Sequence, residues 1–266
     1  MLPARLRLQT GRSNLKPADG GVILKRIDVV GMGPGSREKM TEEAYQAMLN
    51  SDVIIGYTVY VDLVRELFPD KPFLTTPMLR ETERCRMAFE EAQKDQCVAM
   101  ICSGDAGVYG MAGLIYELKE SWPDVAVRII PGITAATGGA AELGAPLMHD
   151  FAVISLSDRL TPWEKIEKRL IAAASADFAI CLYNPSSKKR SDYLQRACEV
   201  MGPYKNPETV CGIVRNIGRE GTETKVMTFA ELCGWKADMF TTVFIGNTET
   251  RIIDGKMVTP RGYHVS

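Results

Sequence analysis

From Lys25 onward, short runs of β-branched and other apolar residues alternate with stretches whose apolar positions recur every three or four residues. The first kind of run suits strands buried on both faces and the second suits helices that cover them, so their alternation predicts a largely parallel sheet. Strands are expected over 26–30, 53–55, 98–102 and 127–130, with helical spacing over 41–50, 58–67, 81–94 and 109–119. After Pro131-Gly132 comes a segment of small residues over 134–143. The Gly144-Ala145-Pro146 turn and the following His149-Asp150 read as a joint, because a new strand over 151–155 begins at once. A helix over 163–174, a strand over 178–182, a helix over 190–201 and strands over 210–214 and 242–245 continue the second unit. The expected organisation is an extension over 1–24, an N-terminal α/β domain over 25–148, a C-terminal α/β domain over 149–254 and a tail over 255–266.

Composition removes several function classes. The 266 residues carry 32 Lys and Arg against 33 Asp and Glu, a formal charge of -1, so nothing global draws the chain to a nucleic-acid backbone or an anionic membrane. No run reaches the roughly 18 apolar residues of a membrane helix. The first 21 residues lack the apolar core of a signal peptide, and Arg5, Arg7, Arg12 and Lys16 sit in no sustained amphipathic repeat, which leaves a flexible extension as the expectation. Seven cysteines form no CxxC pair; an odd, scattered set argues against a secreted disulfide framework and points to the cytoplasm. With two histidines and no dense Cys/His cluster, no metal site is expected.

Four strand ends carry candidate chemistry. Gly31-Met32-Gly33-Pro34-Gly35-Ser36 permits a tight turn, yet Pro34 interrupts the loop a pyrophosphate needs, and the second strand ends in Gly56-Tyr57 where a ribose-binding acid would stand. Cys102-Ser103-Gly104-Asp105-Ala106-Gly107-Val108-Tyr109-Gly110 follows a buried strand, where open α/β sheets bind ligands. It reads equally as a ligand loop and as a plain turn with Asp105 capping a helix. Pro131-Gly132-Ile133-Thr134-Ala135-Ala136 suits either the close approach of a ligand or tight helix packing. Tyr183-Asn184-Pro185-Ser186-Ser187-Lys188-Lys189-Arg190 sets three cations near a helix start; a solvated helix start is the ordinary reading, and an anionic ligand would offset their opposition to the helix dipole. His149 is either structural or, tuned by Asp150, a base.

In this order the segments resemble the tetrapyrrole (precorrin) methylases, a family with a two-domain α/β class III methyltransferase fold in which each domain is a mixed sheet flanked by helices. The likeness runs from about Ile27 to Arg251. It rests on Val53-Ile54-Ile55-Gly56-Tyr57-Thr58-Val59-Tyr60, on the ten residues from His149 to Asp158, on Tyr183-Asn184-Pro185 followed by Lys189-Arg190, and on Val214-Arg215-Asn216-Ile217-Gly218-Arg219. Within the family it is strongest with members that methylate C17 of precorrin-3B, or of cobalt-factor III, and contract the ring in cobalamin biosynthesis. The resemblance implies S-adenosyl-L-methionine as donor, a tetrapyrrole substrate and a homodimer, while the charge balance and the lack of a long apolar run leave no nucleic-acid or membrane partner expected. It also implies that Pro34, Ser103, Gly104, Asp105, Val108, Thr134, Ala135, Asn184 and Gly218 line the donor cleft, and that the 31–35 loop walls the tetrapyrrole trough. Tyr57 stands where relatives that methylate uroporphyrinogen carry an acid. For the proton lost during ring contraction the candidates are Asp105, His149 and Tyr57. Arg80, Arg159, Lys188, Lys189, Arg190 and Arg215 are the candidate partners of the substrate carboxylates. A sibling enzyme methylating another ring carbon, an RNA-modifying member of the fold and a non-catalytic tetrapyrrole carrier are the alternatives; the net charge weighs against the second.

Overall fold

The computed structural model describes residues 25–187 and 190–263. Strands β1 (Arg26–Gly31), β2 (Val53–Tyr57), β3 (Phe73–Thr76), β4 (Cys97–Cys102) and β5 (Ala126–Ile130) form one sheet in the order β3-β2-β4-β1-β5, parallel at every pairing. The central strands are largely apolar because helices cover both faces, with Asp28 the exception in β1. On one face Val30, Ile54, Ala99 and Ile101 pack against α1 (Glu42–Leu49) and α2 (Thr58–Val64). On the other, Ile27, Val29, Val98 and Met100 pack against α3 (Glu81–Ala92) and α4 (Ala112–Lys119). Asp28 lies fully buried in the middle of β1, held by Arg128 Nε at 3.0 Å and Nη2 at 2.9 Å. That two-pronged pairing is what permits a carboxylate in the sheet.

After α5 (Ala135–Leu143) and the two-residue β6 (Gly144–Ala145), the chain builds β7 (Phe151–Ser155), α6 (Trp163–Ser175), β8 (Ala179–Tyr183), α7 (Tyr193–Met201), β9 (Val210–Arg215), β10 (Glu223–Thr228), α8 (Phe229–Cys233) and β11 (Thr241–Ile245). The second sheet runs β10-β9-β11-β8-β7 and is mixed, with β7 and β8 parallel and the other pairs antiparallel. Helices α6, α7 and α8 cover one face. The opposite face receives α5, whose small residues let it sit close: a Cβ on Gly139 would stand 2.8 Å from the Phe244 ring. Strands β12 (Arg251–Ile253) and β13 (Lys256–Val258) join β6 in a small third sheet.

The structure departs from the sequence expectation in particular places. The mixed sheet lies in the second half, while the first is parallel throughout. Helix α4 begins at Ala112 instead of 109 because Tyr109 takes a left-handed conformation, φ 55°. Helix α7 begins at Tyr193, since Arg190 closes a bridge with Ser187. Strands β3, β10, β12 and β13 and helix α8 were not expected. Lys188, Lys189 and the 1–24 extension lie outside the described residues.

Candidate functional site

Three loops leave the carboxyl ends of β1, β4 and β5 and meet back to back. Gly33 and Gly104 exchange backbone hydrogen bonds of 3.0 and 2.8 Å. A Cβ on Gly132 would lie 2.2 Å from the Gly104 carbonyl oxygen, so glycine there serves loop-to-loop contact. Asp105 fastens the same crossing. Its Oδ1 accepts the N–H groups of Gly107 at 2.8 Å and Val108 at 3.1 Å, and its Oδ2 accepts that of Gly132 at 3.0 Å. Those three bonds make Asp105 an anchor of loop shape, and its oxygens are engaged with backbone where a base would need to face substrate.

The second half of the chain reaches these loops at four points. The Tyr183 hydroxyl pairs with Thr134 Oγ1 at 2.5 Å and accepts the Ala136 N–H at 2.7 Å. Arg219 donates from Nε to the Pro34 carbonyl at 3.0 Å and from Nη2 to Ser103 Oγ at 3.2 Å. Gly218, with φ 65°, lies so near Pro34 that a Cβ would come within 2.6 Å of the ring. From the first half, the Tyr109 hydroxyl donates to the Val153 carbonyl at 3.2 Å and accepts the Ser155 N–H at 3.1 Å, using the free edge of β7. Asn184, also left-handed at φ 54°, donates to Ser155 Oγ at 2.9 Å. Ser103, Gly104, Thr134 and Ala135 are thereby brought to Tyr183-Asn184 and Gly218-Arg219, where the two sheets' loops face each other.

Family comparison fits this arrangement. Residues 26–233 match the family described as Tetrapyrrole (Corrin/Porphyrin) Methylases. The chain belongs to that family. It is 48% identical, over 89% of its length and 99% of the relative's, to a protein of Salmonella typhimurium named probable cobalt-factor III C(17)-methyltransferase. It is 44% identical over 90% of its length to the cobalt-factor III methyltransferase of Priestia megaterium, of which it spans 45%. Among solved structures it resembles the methyltransferase CobJ with a TM-score of 0.81 at 36% identity, covering 88% of this chain and 99% of that one. The two α/β halves are therefore those of a tetrapyrrole methylase, and the chain is a methyltransferase.

In this methylase the expected site residues separate into groups. Pro34, Ser103, Gly104, Asp105, Thr134, Ala135 and Gly218 lie at this junction, Asn184 follows Tyr183 there, and Val108, 36% exposed, belongs to the Asp105 loop. Tyr57 lines a cavity of about 210 Å³ together with Tyr60, Arg84, Ser103 and Tyr109, its ring edge-on to that of Tyr60 at 5.1 Å. His149 instead lies exposed on the connection to β7, its Nδ1 accepting the N–H of Asp150 at 3.1 Å. Three expected substrate cations are paired within the protein. Arg190 binds Asp158, Arg215 lies 2.6 Å from Asp238 and 3.5 Å from Glu223, and Arg80 lies 3.3 Å from Glu83. Arg190 and Arg215 therefore meet acids of the chain itself, and a substrate carboxylate would have to compete with these pairs. Arg159 is exposed, and among the described residues it has no acid partner. Tyr109, Tyr183 and Arg219 went unnamed as site residues although each lies inside a quoted motif. Burial pushes the Tyr183 phenol up to about 12, so it stays a neutral donor and acceptor.

Proposed function

We propose that this methylase transfers a methyl group from S-adenosylmethionine to C17 of precorrin-3B or of cobalt-factor III, with contraction of the macrocycle, in cobalamin biosynthesis. The observation that carries this reading is the 48% identity extending over 99% of a relative named for that carbon of that substrate. The same reading has the chain acting in the cytoplasm as a homodimer of two-domain subunits divided near residue 149. Seven free cysteines, five of them buried, are in keeping with a reducing compartment.

The donor has no phosphate, and the junction of the loops suits it: they meet largely through backbone, and the apolar Val108 and Ile133 side chains beside them are 36% and 37% exposed. Pro34, Ser103, Gly104, Val108, Thr134, Ala135, Asn184 and Gly218 would hold it, and Asp105 sets the shape of the loops that do so. When bound, the sulfonium supplies an electrophilic methyl group. The chain's own contribution is alignment and exclusion of water, because displacement at a sulfonium cancels charge and requires little proton transfer. Tyr109, Tyr183 and Arg219 serve that task by fixing the two loop sets against each other. For the proton that leaves during contraction, Tyr57 is the retained candidate, since it borders the cavity beside Ser103 whereas Asp105 is tied to backbone and His149 is exposed elsewhere.

Incubation with ¹³C-methyl donor and either cobalt-factor III or precorrin-3B, followed by NMR of the product, tests the assignment. Label at C17 in a ring-contracted product is expected. Label at another carbon assigns the chain to a sibling reaction, and release of no S-adenosylhomocysteine with either substrate overturns the reading.

A further inference from the structure

Arg84 is an unusual cation for its surroundings. It sits on α3 at 5% exposure, and among the described residues no carboxylate pairs with it. Its Nε donates to Thr76 Oγ1 at 2.9 Å and its Nη2 to the Pro77 carbonyl at 3.2 Å, while Nη1 has no described partner. Burying a guanidinium against neutral acceptors alone is unfavourable, so a position that keeps one offers a reason to expect an anion.

The side chain lines the cavity of about 210 Å³ that opens beside Ser103, at the edge of the junction. Tyr60 lines it too, and its hydroxyl has no described hydrogen-bond partner. Burial, the largest cause, raises the Tyr60 phenol and leaves it a neutral donor. The acid on the wall, Glu81, turns Oε1 to the Leu79 N–H at 3.3 Å and makes no ion pair with Arg84. Cys102, also on the wall, is held neutral by burial, its thiol pushed up to about 11. The lining thus carries one guanidinium and one carboxylate that do not pair with each other, together with spare donors on Arg84 and Tyr60. At about 210 Å³ the cavity lies below the roughly 300–1,000 Å³ of sites that enclose whole small molecules, so it suits a side arm and not a macrocycle.

We propose that this cavity is a subsite for one carboxylate arm of the macrocycle, gripped by Arg84 and Tyr60, with Arg219 bonded to Ser103 on its wall. The inference rests on the reading that the substrate is a polycarboxylated tetrapyrrole. Docking one arm there orients the ring against the 103–110 loop, so the subsite bears on which ring carbon faces the donor.

Uroporphyrin III, a stable fluorescent octacarboxylate, serves as the probe and S-adenosylhomocysteine as the control, each titrated against wild type, Arg84→Gln, Arg84→Lys and Tyr60→Phe. Expected is a loss of tenfold or more in porphyrin affinity for Arg84→Gln, a smaller loss for Arg84→Lys, which keeps charge without the fork, and a loss of severalfold for Tyr60→Phe. Affinity for S-adenosylhomocysteine should stay within twofold in all three. Unchanged porphyrin affinity in folded Arg84→Gln overturns the proposal. So does a fall confined to S-adenosylhomocysteine, which would give the pocket to the donor's own carboxylate. Should Arg84→Gln fail to fold, Tyr60→Phe decides the matter. Because the titration needs no turnover, a failure of C17 methylation leaves its outcome legible.

Discussion

Replacing Tyr183 by Phe removes one oxygen from the junction between the halves and leaves the ring, so no cavity is opened. The hydroxyl accepts the Ala136 N–H at 2.7 Å and pairs with Thr134 Oγ1 at 2.5 Å. Ala136 is in the first turn of α5, is 1% exposed, and receives no side-chain cap from Thr134. Its amide is one of the helix-start donors that lack an intrahelical partner. Orphaning it costs about 1–3 kcal/mol, and losing the hydroxyl pair about 1 kcal/mol more. Tyr183→Phe should therefore destabilise by roughly 2–4 kcal/mol, read as a shift of the urea midpoint at unchanged slope. Thr134→Val keeps the amide satisfied and should cost about 1 kcal/mol, and the double variant should fall short of the sum by about that amount, the bond being shared. The cost should also depend on pH in one direction. A phenol raised from 10 to about 12 by burial gives stability that is whole below pH 10 and is lost as pH climbs toward 12, so the gap between wild type and Tyr183→Phe should narrow across that window. A gap under 0.5 kcal/mol at pH 8, or equal costs for Tyr183→Phe and Thr134→Val, would refute this account of the junction, both figures being set against the typical worth of one hydrogen bond.

Asp105→Ala should lower stability by about 2–4 kcal/mol through three unpaired amides and weaken S-adenosylhomocysteine binding, with Asp105→Asn recovering part of both; calorimetric titration checks this, and an Asn variant with full stability and no turnover would return Asp105 to a proton-transfer role. Thiol reagent at pH 8 should leave Cys85, Cys102, Cys181, Cys198 and Cys211 unlabelled in the native protein and modify all seven in urea, because burial both shields these five and raises their thiols; rapid native labelling of more than Cys97 and Cys233, by mass spectrometry, is the contrary result. The Asp158 carboxyl is held below its ordinary 3.8 by the Tyr193 hydroxyl and by Arg190. Its contribution is present above pH 4 and is lost as pH falls through the depressed value, so Tyr193→Phe should flatten the decline in urea midpoint between pH 5 and 3; parallel declines would exclude the pair.

The elements legible in the sequence were those whose burial is written into composition. Strands β2, β4, β8, β9 and β11, and β1 apart from its buried Asp28, are covered on both faces and read as largely apolar runs; the edge strands β5 and β7 were legible because their β-branched and aromatic residues keep the same character. Strand β10, Glu-Thr-Lys-Val-Met-Thr, sits at a sheet edge with its first three residues exposed, and its pairing to β9 supplies the stability its composition lacks. Strand β3 is also an edge, four residues long. Helix α8 had a readable signal: Thr228 and Glu231 form a capping box, a spacing visible in the sequence.

The candidate site divides along the same physical line. Loop composition at 31–35, 103–110 and 131–135 was legible because close backbone contact demands glycine, and a demand of that kind shows in the residues themselves. Contacts across the junction carry no such mark: Arg219 meets Pro34 from 185 positions away, and Tyr183 meets Thr134 from 49. Cations are harder still, since an arginine is open to a ligand only where the fold brings it no acid. Register decides this for Arg215, which pairs across β9 and β10 with Glu223. Arg84 is spared because the groups that reach it, Thr76 at the end of β3 and the Pro77 carbonyl just after it, are neutral. Sequence ranks both as basic residues near strand ends or helix starts; only the placement of acids separates a cation already neutralised from one that still has a carboxylate to find.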